Sequence, residues 1–446
     1  MLNSRAEALK NKKRCLYYLA AAALLLEEQQ NRAALLLQEQ EKNQKEQVKE
    51  EGITPTRKRK ARTVWVRDWL TRRHHFGHYD QLLTELHKED PKGYKNYLRV
   101  PPDLFQEMVE KLTPHLEKKV TFMREPLDVG LKLATTLRFL STGNSYTSLQ
   151  HSFRVDLTTI CKFLPEVCKA IIEVYKDKVL RCPKTEEGWK EVAEGFSSRW
   201  NYYNCLGAVD GKHVAVKKSG SFYYNYKGFH SIVLMAVVDA GYKFLYVDVG
   251  AEGGASDGEP WKNCTLHEAV EDKRAGLPGP APLPNDDKPV PYHFIADDAF
   301  ALRTWLMKPF SHHSQNHREI IYSCRLSRAR CVVENTFGIL SQRFRCFSTT
   351  MQQNPETISL ITMCACVLHN LILSRYPLAS TDVDHEDSAT HNLIPGAWRE
   401  VPQMEGLMPL SEDHIQNEAK EQREYLSHYY SSPAGAVPWQ ERMVTP

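Results

Sequence analysis

Two short apolar runs, Leu206-Gly207-Ala208-Val209 and Phe294-Ile295-Ala296, each stop at an aspartate, Asp210 and Asp297. Runs of this length bounded by turn formers read as buried strands, and an acid at the exit of a buried strand has its backbone fixed by the sheet. Further β-branched and aromatic runs, His213 to Lys217, Ser231 to Asp239 and Phe244 to Gly250, predict a meander of neighbouring strands. The span from about Glu259 to Val290 reads as a loop, because Gly276-Leu277-Pro278-Gly279-Pro280 and Asn285-Asp286-Asp287 break any periodicity before strand Tyr292 to Ala296. Helices are expected around residues 299–308 and 327–345. A third, Pro355 to Arg375, is apolar on most faces and is expected to lie buried against the sheet.

From Val64 to about Leu180 the apolar spacing is helical, with Pro101-Pro102 and Pro126 marking helix starts. Leu133, Leu137 and Leu140 share one face of a helix that stops at Gly143-Asn144. A helix from Ser145 to Phe153, a turn at Arg154-Val155-Asp156 and a longer helix from Leu157 to about Tyr175 have the lengths of a helix-turn-helix. In that reading the second helix presents Thr158, Thr159 and Lys162 to a DNA groove. Ordinary helical packing accounts for the same pattern.

The N-terminus begins with a basic cluster followed by the apolar run Leu16 to Leu26, which resembles a secretory signal. That reading fails because Ala22 to Arg32 (AALLLEEQQNR) recurs as Ala33 to Asn43 (AALLLQEQEKN). A period of eleven residues keeps a leucine face aligned along one long helix able to pair with another copy or a partner. Thr56-Arg57-Lys58-Arg59-Lys60-Ala61-Arg62 reads as a nuclear localisation signal, or as a solvated charge run. The expected location is the nucleus, with a cytoplasmic pool. The net charge of +3 conceals a gradient: residues 1–75 carry about eight net positive charges and residues 378–446 about eight net negative ones. Eleven cysteines without a CxxC pair suggest reduced thiols. No apolar run is read as reaching the ~20 residues that span a bilayer, so no membrane partner is expected.

Glu334 lies mid-helix beside Val333, Phe337 and Leu340, a packing face that would hold it near the sheet, and Gly338 one turn on would leave room beside it. Two strand-end aspartates and a helical glutamate are the parts needed to hold two magnesium ions roughly 4 Å apart, clamping the attacking and leaving oxygens of a phosphodiester. Taken singly each acid has a plain explanation, since Asp forms turns at strand ends and Glu is an ordinary helix residue. Lys212, His213, Lys217, Lys218, Lys227, Arg318, Arg325, Arg328, Arg330, Arg343 and Arg345 surround the set and suit phosphate contacts, or internal salt bridges for about a third of them. Of these, Lys212, His213, Lys227, Arg328, Arg330, Arg343 and Arg345 are the expected DNA contacts, with Tyr223, Tyr224 and Tyr226 available to stack on unpaired bases. His312, His313 and His317 read as a surface loop.

Several motifs in fixed order resemble the Harbinger (PIF-type) DDE transposases and their domesticated nuclease-like relatives. They are the Leu133-to-Cys168 region, Ala208-Val209-Asp210-Gly211-Lys212-His213, Tyr226-Lys227-Gly228-Phe229-His230-Ser231 and Val247-Asp248-Val249-Gly250 with Ser256-Asp257-Gly258. Ala296-Asp297-Asp298-Ala299-Phe300-Ala301-Leu302, Arg328 to Gly338 and Val367-Leu368-His369-Asn370 follow, as do Arg423-Glu424-Tyr425 and Gly435 to Gln440 in the tail. The resemblance covers about residues 95–375, and Glu334 follows Asp297 by 37 positions, which suits the family. It implies an α/β fold: a ribonuclease-H-like DDE catalytic core preceded by an all-helical, helix-turn-helix-like domain and a long N-terminal helix. The expected segments are 1–62 (repeat helix and basic linker), 63–182 (helical domain), 183–376 (endonuclease domain) and 377–446 (acidic, mostly flexible tail whose Tyr425-to-Gln440 stretch docks back through Trp439). The resemblance further implies a divalent cation, Mg2+ or Mn2+, on Asp210, Asp297 and Glu334 with Asp257 in support, and Asp297 preferred over Asp298. Cleavage and transfer of DNA strands, a Myb-like DNA-binding partner and a homo-oligomer through the N-terminal helix are the associated expectations. The other reading is a domesticated DNA-binding or scaffold protein that keeps the core and no longer cuts.

Overall fold

The computed structural model describes residues 66–119, 125–255, 259–311, 316–378, 382–386, 393–407 and 417–444. The N-terminal repeat helix, the basic segment 56–62, Asp257 and the pair His312 and His313 lie outside them. Val66–Pro446 forms one compact unit.

The helical half is built as its capping residues dictate. Helices α1 (Leu82–Glu89), α2 (Pro91–Leu98) and α3 (Pro102–Leu116) lead to α4 (Val129–Thr142), which is buried on nearly every face. The second start signal is displaced: Pro126 precedes α4, and Asp128 caps it by accepting Leu131 N–H at 3.0 Å. Gly143 closes α4 in the left-handed region (φ +69°), its N–H bonded to Phe139 O. Ser145 then caps α5 (Tyr146–Phe153), Arg154 makes the left-handed turn, and Asp156 caps α6 (Leu157–Val179) by accepting Thr158 N–H at 3.0 Å. Thr158 and Lys162 are exposed on α6, and Thr159 is half-buried.

After α7 (Glu186–Trp200) comes a mixed sheet of β1 (Cys205–Ala215), β2 (Ser231–Val238), β3 (Phe244–Glu252), β4 (His293–Ile295), β5 (Leu306–Met307) and β6 (Glu405–Gly406). The order is β3-β2-β1-β4-β5, with β6 also pairing β1. The first three strands are antiparallel, whereas β4 runs parallel to β1 and β5 parallel to β4. Three expectations are corrected. The runs 206–210 and 213–217 are one strand, because Gly211 stays extended and pairs with Met235, so Asp210 sits within β1 instead of at its exit. The helix expected at 299–308 is a turn followed by β5: Asp297 Oδ1 accepts Ala299 N–H at 3.0 Å, and such a local bond competes with helix formation. The loop 259–290 contains two short helices, Glu259–Lys262 and Thr265–Glu271, anchored by buried Trp261 and Leu266.

Two long helices, α8 (His317–Arg343) and α9 (Pro355–Arg375), complete the core with the sheet and α6. Helix α9 is long and apolar enough to cross a membrane by length and composition, which corrects the expectation that no run reaches that length; 72% of its most apolar window is buried inside the fold. Its motif His369-Asn370 is a clamp. Asn370 accepts Phe244 N–H at 2.9 Å and donates to Phe244 O at 2.7 Å and Val179 O at 2.9 Å, tying β3 to the end of α6. His369 Nε2 bonds Tyr242 O at 2.9 Å, and Arg343 donates to its Nδ1 at 3.4 Å.

Burial, reinforced by the Arg343 charge, lowers the His369 pKa to about 3, and burial lowers that of His293 to about 4. Above pH ~6.5 these imidazoles are neutral in both folded and unfolded chains. As pH falls below that value the unfolded chain takes up protons that the folded one refuses, and each group removes up to about 1.4 kcal/mol of stability per pH unit until its folded pKa is reached. Denaturant titrations between pH 6.5 and 4 should show the wild type losing stability more steeply than His369→Gln; parallel pH profiles would contradict the buried neutral imidazole.

Candidate active site between two parallel strands

Asp210 and Asp297 are brought together by strand register. Ala208 pairs with Ile295 across the parallel β1–β4 ladder, and each aspartate lies two residues further along its chain, near enough for the Asp210 charge to act on Asp297. Asp210 is buried; its Oδ1 accepts Gly211 N–H at 2.8 Å, and its Oδ2 lies 2.9 Å from Lys212 Nζ without accepting an aligned hydrogen bond. Burial and the Asp210 charge push the Asp297 carboxyl up to about 6, against the opposing pull of Arg330. Asp298, next in sequence, is exposed.

Glu334 approaches from α8. Its Oε1 is 2.5 Å from Nη2 of Arg330, one turn earlier on the same helix. Arg330 is also under the electrostatic influence of Asp210 and Asp297, and Lys212 under that of Asp210 and Glu334. The three predicted acids therefore converge on two shared cations. All-oxygen donors suit a hard divalent cation, and the buried Asp210 Oδ2 carries no aligned hydrogen bond, with Lys212 Nζ 2.9 Å away. Among the described residues, no three His, Cys, Asp or Glu side chains are grouped closely enough to hold an ion.

Residues 209–370 match the DDE superfamily endonuclease family. The chain is similar to "Putative nuclease HARBI1" of Homo sapiens, 26% identical over 279 residues that cover 61% of this chain and 75% of that protein. The Xenopus laevis counterpart is 25% identical (58% and 71% covered). "Protein ALP1-like" of Arabidopsis thaliana is 22% identical (64% and 71%). No solved structure matches at a comparable level. Residues 209–370 are a DDE superfamily endonuclease domain.

The basic residues expected to meet DNA are mostly engaged inside this fold. His213 is buried, its Nδ1 2.9 Å from Ser231 Oγ, and burial lowers its pKa to about 4; a phosphate contact there is corrected, because the ring faces the β1–β2 interior. Lys212 and Arg330 serve the acids, and Lys227 pairs with Glu405 at 2.6 Å. The Arg328 guanidinium stacks 3.9 Å from the Trp439 ring centre. Arg343 is half-buried and Arg345 exposed at the far end of α8. Phe222, Tyr224 and Tyr226 form an exposed aromatic loop between β1 and β2.

What sequence reasoning missed is the tail's part in the site. Strand β6 pairs with β1 at Lys212↔Gly406 and His213↔Glu405, directly beside Asp210, and Leu407 fills the space left by Gly211. Asn335 Oδ1, next to Glu334, accepts Trp398 Nε1–H at 2.6 Å, and Gly338 leaves room for that indole as well as for the acid's helix to sit close. The signal was present in Glu334-Asn335-Thr336-Phe337-Gly338, but the partner lies some sixty residues on. Gly338→Ala should drive its methyl into the Trp398 indole and destabilise the fold by roughly 1–3 kcal/mol, read as a lower melting temperature with altered tryptophan fluorescence. A variant that melts with the wild type and keeps its emission would show that Trp398 does not dock there.

Proposed function

We propose that this chain is a metal-dependent DNA endonuclease or transposase of Harbinger type. The observation that carries the reading is the convergence of Asp210, Asp297 and Glu334 on the Arg330 guanidinium beside two adjacent parallel strands. Asp210, Asp297 and Glu334 would hold the divalent cation, Mg2+ or Mn2+, with Asp257 in support. A bound cation of this kind activates water or a DNA 3′-hydroxyl and stabilises charge on the leaving oxygen. The chain's own residues supply the rest. Burial keeps water from the Asp210 carboxylate, and the strand register sets the two aspartates at a fixed spacing. Lys212 and Arg330 balance the acids' charge and are cations suited to the phosphate of an approaching strand once the carboxylates release them. The sheet order β3-β2-β1-β4-β5 supports a ribonuclease-H-like core, and the exposed Thr158 and Lys162 on α6 support a helix-turn-helix that meets DNA. Nuclear import through residues 56–62, pairing through the N-terminal repeat and a Myb-like partner belong to the same reading.

A second reading is a transposase-derived protein that binds DNA without cutting it. It is favoured by the carboxylates being taken up by Lys212 and Arg330.

The deciding experiment is nicking of DNA bearing candidate terminal repeats by full-length protein in Mg2+ or Mn2+. Asp210→Asn, Asp297→Asn and Glu334→Gln should each fold and bind DNA, yet lose about 10²-fold or more in rate, the equivalent of several kcal/mol of transition-state stabilisation. Wild-type protein that binds the DNA with a Myb-like partner present and never nicks it would favour the second reading.

A further inference from the structure

Nine residues beyond Glu334, about 13 Å along α8, a separate cavity of about 290 Å³ opens where α2, the end of α8 and the segment after α9 meet. Lys95, Arg99, Arg343 and Arg345 line it, against one carboxylate, Asp382. Arg99 ends α2 in the left-handed region (φ +62°), its N–H bonded to Lys95 O, so the backbone fixes where its side chain starts. Its Nε is buried and has no hydrogen-bond partner. Burial lowers its pKa, and the nearby Arg345 and Arg138 charges lower it further. Arg138 is held elsewhere, stacked 3.8 Å over Tyr97 and bonded to Tyr97 O at 3.0 Å. Arg343 donates to His369, a neutral acceptor; burial lowers the Arg343 pKa, and the attraction of Asp382 outweighs the Arg99 repulsion upon it.

A fold that gathers several guanidinium groups and leaves a buried donor unbonded holds a local electrostatic strain that an anion relieves. Arginine forks match phosphate oxygens in a two-pronged geometry, and the cavity has room for more than a lone ion. We infer that the Lys95–Arg99–Arg343–Arg345 cavity, two and a half turns beyond Glu334 and so on the opposite face of α8, is a phosphate-binding site that grips the DNA backbone away from the acid set. This inference rests on DNA being the substrate and needs no cleavage.

The test uses full-length protein in EDTA, so that binding is read apart from nicking. Arg99→Gln and Arg345→Gln are compared with wild type for DNA affinity across a salt series, for melting temperature, and for the melting shift caused by inorganic phosphate or pyrophosphate. The site predicts weaker DNA binding in both variants, with a salt slope shallower by about 0.9 for each phosphate that the variant no longer neutralises. Arg99→Gln should melt at or above the wild-type temperature, because an unpaired cation has been removed. Unchanged affinity and slope, or a lower melting temperature with unchanged slope, assigns Arg99 to packing alone and overturns the inference while leaving the acid site's function standing. Wild type that fails to bind DNA yet is stabilised by inorganic phosphate through Arg99 makes the cavity a free-phosphate site, which overturns both DNA claims.

Discussion

Three carboxylates in one partly buried corner repel each other, and the rest of the site depends on how that repulsion is met. The structure answers with the Arg330 guanidinium, which bonds Glu334 and acts on both aspartates, and with Lys212 beside Asp210. Burial first, and the Asp210 charge second, still push the Asp297 carboxyl up to about 6. An arrangement that strands acids together is poor design for stability alone and sensible preparation for a cation.

Helix α8 is the beam on which this corner is built, and the acidic tail straps it in place. Trp398 docks on Asn335 and Gly338 beside Glu334. Helix α10 (Asn417–Ser431) packs along the N-terminal half of α8, where the fully buried Arg325 sits 4.6 Å from the Tyr430 ring and donates to Asn201 O, Gly435 O and Gln440 Oε1. Tyr429 OH donates to Pro284 O at 2.9 Å, pinning the loop that precedes β4. The strands that position the aspartates, the helix that carries the glutamate and the tail thus form one mechanical unit.

The candidate acids could be singled out because they sit in short motifs whose local spacing encodes strand or helix. Ser145, Asp156 and Gly143 likewise announced the boundaries of α4 to α6 through capping chemistry that acts over three or four residues. Misreadings came where distant residues decide. Gly211 looked like a strand break and is a strand residue whose missing side chain admits Leu407. The segment 299–308 has helical composition and is overridden by the Asp297 turn and by pairing of β5 with β4. His213, Lys227 and Arg328 looked like cations for DNA, yet Ser231, Glu405 and Trp439 occupy them, and none of these partners is close enough in sequence for periodicity to announce it.

The central claim is that Asp210, Asp297 and Glu334 constitute a divalent-cation site held in charge balance by Arg330 and Lys212. Direct titration of full-length protein with Mn2+, followed by the paramagnetic signal of the free ion, tests it without requiring a DNA substrate. Saturable binding that is lost in Asp210→Asn and Asp297→Asn and kept in the neighbouring Asp298→Asn is the predicted result. Absence of saturable binding, or equal loss on changing Asp298, would contradict it.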